Sequence, residues 1–281
     1  MSQSTSRVVF ITGCSVGSLG AALAERFAAE GCRVFATARN VSKMEGLSVG
    51  IEKIQLDVLS DASVKEAVNT VVTKAGRVDI LVNGAGVNRI GALMDLSLEE
   101  VEALFQTNVF ALMRVVKATQ AIVPHMVERK SGLIINLGSI AGNNATPWYG
   151  AYSASKAALH SYTDTLDMEL RPFGIKVLLL ALGMVHSNIT ANNIAKHVAP
   201  PVDSLYSQWR ANIDARLGQG NDVMSAEGFA KKTVAAALSS SPPNYMSFGG
   251  QANAAWLVSF IPRAKRLSLM WKLYSAKEPR V

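Results

Sequence analysis

The chain is poor in side chains that form disulfides or hold metals: 281 residues include two cysteines and four histidines. Cys14 and Cys32 are too few for a disulfide framework. No His/Cys/Asp cluster has metal-ligand spacing, so a reducing compartment and no metal are expected. No stretch approaches the ~20 apolar residues that span a bilayer. The first six residues are polar and lack an apolar signal core, which argues against secretion. Internal repeats and low-complexity linkers are absent as well. The net charge of +7 has no aromatic platform or recognisable module around it, which argues against nucleic-acid binding.

What the chain does contain is an alternation of short apolar runs and amphipathic stretches. Strands are expected at 7–12, 32–37, 52–57, 78–83, 133–138 and 175–181, with long helical patterns over 97–130 and 150–172. Continuous β-branched runs such as Arg7-Val-Val-Phe-Ile-Thr12 fit parallel strands buried on both faces. Strand–helix alternation at this length predicts a single-domain α/β fold, a Rossmann-type doubly wound parallel sheet with helices on both faces. Its ligands should bind at the carboxyl ends of the strands. We divide the chain into a dinucleotide-binding domain over 1–250, with a substrate loop at about 184–222, and a basic amphipathic tail over 251–281.

The first strand opens into Gly13-Cys-Ser-Val-Gly17-Ser-Leu-Gly20, followed by a helical pattern from Ala21 to Glu30. Glycines let the backbone approach a pyrophosphate, and the helix N-terminus supplies free N–H groups and partial positive charge. After the second strand, an acidic residue would mark NAD. The chain has Ala38-Arg39 there, with no carboxylate before Glu45. An arginine at that place pairs with a 2′-phosphate, so NADP(H) is the expected cofactor. Ser15 can add a hydroxyl to the same phosphate. Asp57, at the end of the third strand, is placed for the adenine edge.

Tyr152-Ser-Ala-Ser-Lys156 sets a phenol and an ammonium four residues apart, on one helix face. An unperturbed tyrosine has a pKa of about 10. A neighbouring cation is expected to bring it down towards the range useful for proton exchange. Ser139 lies thirteen residues upstream of Tyr152.

Thr12-Gly13, Asn83-Gly-Ala-Gly86, Asn108, Ser139 and Tyr152/Lys156, in this order, resemble the short-chain dehydrogenase/reductase family over about residues 7 to 190. The glycine turn, one residue longer than the family's usual form, is most similar to the fungal NADPH-dependent 1-acyldihydroxyacetone-phosphate reductase group. So are Phe35-Ala-Thr-Ala-Arg39 and the Trp256-Leu-Val…Ile261-Pro262-Arg263 segment. The resemblance implies that Tyr152 exchanges a proton with the substrate oxygen. It implies that Lys156 lowers the Tyr152 pKa and holds the nicotinamide ribose. By the same resemblance Ser139 polarises the carbonyl, and Asn108 supports a proton relay. Asn83, Ala85 and Gly86 are matched to the adenosine side of the cofactor. Val185 and Ser187 fall in the stretch that meets the nicotinamide amide; Leu182 stands where proline is common. A homodimer or homotetramer is the assembly expected.

The substrate loop carries Tyr206 and Trp209, and Trp148 and Tyr149 precede the catalytic tyrosine; with His186 they are candidates to line a substrate pocket. Such residues favour a hydrophobic ketone or alcohol. Lys196, His197 and Arg210 are candidates for a phosphate head group. Residues 261–281 carry +5 of the net charge, mixed with tryptophan and aliphatics. That mixture fits a segment lying in a membrane interface, or else a helix packed on the sheet or a partner subunit. On the first alternative the protein sits on the cytoplasmic side, peripheral to endoplasmic reticulum or a lipid droplet. Three functions are weighed: an NADPH-dependent reductase of a lipid ketone, a ketoreductase of fungal specialised metabolism, and a cofactor-binding protein without hydride transfer.

Overall fold

The computed structural model describes residues 6–118, 123–195, 200–218 and 222–275. Seven strands form one parallel sheet: β1 (Val8–Thr12), β2 (Arg33–Ala38), β3 (Glu52–Gln55), β4 (Ile80–Asn83), β5 (Gly132–Leu137), β6 (Ile175–Leu182) and β7 (Tyr245–Phe248). Their order is β3-β2-β1-β4-β5-β6-β7. The chain reverses its winding between β1 and β4, which opens a crevice beyond their carboxyl ends.

The helices are α1 (Leu19–Ala29), α2 (Asp61–Ala75), α3 (Leu98–Phe105), α4 (Ala111–Ala118), α5 (Val123–Glu128), α6 (Ile140–Asn143), α7 (Gly150–Leu170), α8 (Ile189–Ala195), α9 (Arg210–Ala215), α10 (Ala226–Leu238), α11 (Ala252–Ser259) and α12 (Arg263–Ser275). Side-chain alternation along each strand builds two cores. On one face Val9 and Ile11 pack with Leu23 and Phe27 of α1 and with Phe229 and Val234 of α10. On the other, Val8 and Phe10 meet Val64 and Val68 of α2, Val115 of α4 and Leu159 of α7. Burying each such side chain contributes about 1.5–3 kcal/mol. Serine hydroxyls cap α1, α2, α3 and α10 by accepting backbone N–H bonds, worth about 1 kcal/mol each.

Three local expectations need correction. The helical stretch over 97–130 is interrupted: α3 passes into a π-turn at Gln106–Phe110 before α4 begins. Strand β3 stops at Gln55, so Asp57 lies in the following turn, where its Oδ1 accepts the Leu59 N–H at 3.0 Å. Strand β7 was not expected; it extends the sheet by pairing Leu179 with Tyr245. Within the tail, α11 and α12 fold back on the body. Asn144 Nδ2 donates to the Ala255 carbonyl at 3.0 Å, and Trp148 Nε1 to that of Tyr274 at 3.3 Å.

Candidate active site

The glycine turn begins where β1 ends. Gly13 has φ +77°, and a Cβ there would lie 2.9 Å from the Ala85 backbone, so only glycine fits this crossing. Thr12 ties the two loops together, its Oγ1 accepting the N–H groups of Gly84 at 3.1 Å and Ala85 at 3.3 Å. Ser15, Gly17 and Gly20 follow in the turn, and Ser18 caps α1 by accepting the Ala21 N–H at 3.1 Å. The loop after β6 closes over the turn: Asn188 Nδ2 donates to the Val16 carbonyl at 2.6 Å, and its N–H to Gly17 at 3.0 Å. A glycine turn with positive φ at the foot of a capped helix fits a pyrophosphate. Arg39 is exposed beyond β2, and among the described residues no carboxylate pairs with it. Asn83, buried, donates through Nδ2 to Asn136 Oδ1 at 2.8 Å, bracing β4 against β5 below Ala85 and Gly86.

Residues from three further elements come together beside this crevice. Ser139 follows β5 and caps α6. Tyr152 and Lys156 lie one turn apart near the start of α7, and Asn108 projects from the π-turn. The π-turn brings the Asn108 amide between two segments: Oδ1 accepts the Val87 N–H at 2.9 Å, while Nδ2 donates to the Val87 carbonyl at 2.9 Å and to Ser155 Oγ at 3.0 Å. Single π-turns in helices often mark functional positions. Lys156 is 6 % exposed; its Nζ donates to the Leu137 carbonyl at 2.8 Å and stands 5.8 Å from the centre of the Tyr152 ring.

Desolvation pushes the Tyr152 phenol up to about 12, and the Ser139 hydroxyl near it pulls the other way without prevailing. Desolvation brings Lys156 down to about 8. The expectation that the ammonium lowers the phenol is therefore not met by the protein alone. The reason is physical: the same burial that brings the two groups together penalises both of their charged forms. At neutral pH Tyr152 holds its proton, the state needed to give one away.

His160, four residues after Lys156, is a site residue that the sequence reading passed over. Its Nε2 accepts the Ser139 N–H at 3.3 Å, and Nδ1 faces Asn143 Oδ1 at 3.0 Å, so Nδ1 carries the proton. Burial, and then the Lys156 charge, bring its pKa down to about 4. It is thus a neutral acceptor that fixes the Ser139 backbone. The i, i+4, i+8 spacing of Tyr152, Lys156 and His160 on one helix face was the available signal.

After β6 the backbone is pinned rather than loose. Met184 pairs with Gly250 and Val185 with Met224. His186 donates its N–H to the Met224 carbonyl at 2.9 Å, leaving an exposed side chain, and Ser187 is half-buried. Gly183 runs so close to Gly250 that a Cβ would overlap the carbonyl there. These backbone bonds take up the freedom that the missing proline would have removed.

The aromatic candidates form a wall beside α7. Trp148, 5 % exposed, stacks edge-on to Tyr206 with ring centres 5.6 Å apart, and packs on Trp209 at 6.3 Å and on Trp271 of α12 at 5.8 Å. With Ile90, Ala92 and Ile213 it makes a small separate core. Trp148 therefore supports the wall from behind. Tyr149 stands edge-on to Tyr152 at 5.8 Å and donates its hydroxyl to the Arg216 carbonyl at 3.2 Å. Lys196 and His197 lie outside the described residues, and Arg210 is exposed. Among the described residues no cluster could hold a metal ion.

The model of the short chain dehydrogenase family matches residues 7–197. A short-chain dehydrogenase/reductase of Pestalotiopsis microspora is 36 % identical over 96 % of this chain and 94 % of its own. An NADPH-dependent 1-acyldihydroxyacetone phosphate reductase of Schizosaccharomyces pombe is 35 % identical over 80 % of this chain and 76 % of its own. Among solved structures, a short-chain dehydrogenase from Streptomyces avermitilis superposes with a TM-score of 0.79 at 28 % identity, covering 98 % of this chain and 99 % of that one. An actinorhodin polyketide ketoreductase with NADPH superposes with a TM-score of 0.72 at 26 % identity, covering 90 % and 99 %. With the family model matched over residues 7–197 and relatives 35 % and 36 % identical over most of the chain, the chain belongs to the short-chain dehydrogenase family.

Proposed function

We propose that this oxidoreductase, using NADP(H), reduces a ketone on a hydrophobic, lipid-like substrate of the 1-acyl-dihydroxyacetone-phosphate type. The observation that carries the reading is the convergence of Ser139, a protonated Tyr152 and the buried Lys156, whose Nζ lies 5.8 Å from the Tyr152 ring, beside a wall of aromatic rings. NADPH, when bound, supplies the hydride. A ketone oxygen accepting from both hydroxyls is polarised by Ser139 and takes its proton from Tyr152. Gly13, Ser15, Gly17 and Gly20 are assigned to the pyrophosphate side. Asp57, Asn83, Ala85 and Gly86 are assigned to the adenosine side, with Val185 and Ser187 towards the nicotinamide. The likeness to the Schizosaccharomyces pombe reductase supports both cofactor and substrate class.

Arg39 is assigned to the 2′-phosphate. An Arg39→Asp variant should lose at least about 10-fold in NADPH affinity, the size of a lost charge-assisted pair, and gain or hold affinity for NADH. Equal losses for both cofactors refute the assignment.

A polyketide-type ketone is the second reading, favoured by the likeness to the actinorhodin ketoreductase. A cofactor-binding protein without hydride transfer is disfavoured, because Asn108, Ser139, Tyr152 and Lys156 are all present. NADPH oxidation measured against a panel of lipid and polyketide ketones separates the readings. Turnover of acyl ketones alone supports the first, of polyketide ketones alone the second, and none across the panel sinks both.

The tail is assigned to an anionic bilayer surface on the cytoplasmic side. Trp256, Phe260 and Leu273 are 56 %, 69 % and 62 % exposed, beside Arg263, Lys265 and Lys272. No described helix is long and apolar enough to cross a membrane. Co-sedimentation with phosphatidylserine vesicles but not phosphatidylcholine vesicles is the outcome expected. Equal recovery with both leaves the exposed face to a partner subunit.

A further inference from the structure

Most partly buried arginines of this chain are neutralised. Arg26, Arg77, Arg89 and Arg114 each pair with an aspartate or glutamate. Arg216 does not: among the described residues no carboxylate pairs with it, although it is partly buried. Its guanidinium lies between two tyrosine rings, 4.3 Å from the centre of Tyr149 and 3.9 Å from that of Tyr274. One edge is used, Nη2 donating to Thr146 Oγ1 at 3.1 Å, while the buried Nε has no partner. Tyr149, on one face of this guanidinium, is also the ring that packs edge-on against catalytic Tyr152.

A cation held flat between aromatic faces keeps its N–H donors directed sideways in a fixed fork, which suits an oxyanion. Burial without a counter-ion is costly unless another group supplies the charge. The segment that supplies one of the two rings is itself basic. The segment 251–275, which includes Tyr274, contains Arg263, Lys265, Arg266 and Lys272 and no acidic residue. That excess favours a dianion over a single negative charge.

We propose that Arg216 binds a phosphate monoester on the substrate whose ketone reaches Tyr152. This deepens the ketone-reductase reading and rests on it. It moves the phosphate-reading role from the exposed Arg210 to a residue one ring away from the proton donor.

The test uses two probes that differ only in the phosphate group, 1-palmitoyl-dihydroxyacetone phosphate and 1-palmitoyl-dihydroxyacetone, with saturating NADPH. Wild type should favour the phosphate probe in kcat/KM by about 10-fold or more, the scale of a charge-assisted hydrogen-bond pair. Arg216→Gln should abolish that preference while changing the neutral probe by less than about 2-fold on the same scale. Arg216→Lys, which keeps the charge and loses the fork, should fall between. A residue that only clamps Tyr149 to Tyr274 would lower both probes alike, and that result overturns the proposal. So does a wild type indifferent to the phosphate.

If wild type oxidises NADPH with neither probe, the lipid-ketone reading fails separately, and binding decides the role of Arg216. Tryptophan fluorescence is then titrated with 1-palmitoyl-glycerol 3-phosphate and with 1-palmitoylglycerol. A preference for the phosphate lost in Arg216→Gln and reduced in Arg216→Lys supports the proposal; equal affinities in wild type, or a preference kept in Arg216→Gln, overturn it.

Discussion

Replacing Tyr152 by phenylalanine is expected to lower turnover by at least ~100-fold while leaving NADPH affinity nearly unchanged, since general acid catalysis contributes about 10²–10⁴-fold. The substitution removes one hydroxyl and keeps the ring that packs against Tyr149. Ser139 and Lys156 keep their backbone partners, the Ala141 N–H and the Leu137 carbonyl. A phenol pushed up to about 12 is almost wholly protonated at neutral pH, so reduction needs no prior proton uptake. Oxidation of the alcohol runs the same group the other way and needs it ionised. Its rate relative to reduction should therefore rise with pH through the alkaline range, while reduction stays flat below neutrality and falls as Lys156 loses its charge at about 8. Single-turnover kinetics at several pH values, with cofactor binding measured in parallel, check both statements. A Tyr152→Phe enzyme with a near-normal rate would remove Tyr152 from the acid role.

The parts of this molecule that could be read from sequence are those whose signal is local. The run Val8–Thr12, the glycines after it and the four-residue spacing of Tyr152 and Lys156 each carry their meaning within a few residues, and the strands and crevice follow from them. The parts missed depend on distant partners. Strand β7 is four residues with no clear alternation, and becomes a strand because β6 presents an unpaired edge to it. Arg216 reads as an ordinary surface arginine until Tyr149 and Tyr274, on opposite sides of it in sequence, close over its two faces. Even the Tyr152–Lys156 pair was only half legible. Spacing places the groups together, but the sign of the pKa shift depends on how much water the fold leaves beside them.

Lys156 carries the second large effect, and it acts in opposite directions on activity and stability. Lys156→Met keeps the length of the side chain and removes its charge, so turnover should fall by about 100-fold or more as the proton-transfer geometry loses its cation. Folding should not suffer. Burial brings Lys156 from its ordinary 10.5 to about 8, so the folded state carries a penalty of about 3 kcal/mol for holding the charge at neutral pH. Losing the hydrogen bond to the Leu137 carbonyl costs about 1–3 kcal/mol, which offsets part or all of the gain. The expected Tm of the variant at pH 7 is equal to or above that of wild type. The sign with pH follows from linkage. Below about 8 both folded and unfolded wild type bind the proton, and the penalty is complete. Between about 8 and 10.5 the folded protein releases the proton while the unfolded chain retains it, so wild type gains stability relative to the variant. Thermal denaturation of the two proteins without added cofactor, from pH 7 to 10, should show their Tm difference shifting in favour of wild type as pH rises. A variant several degrees less stable at every pH would mean that the ammonium holds the fold together, and that burial is not what depresses its pKa.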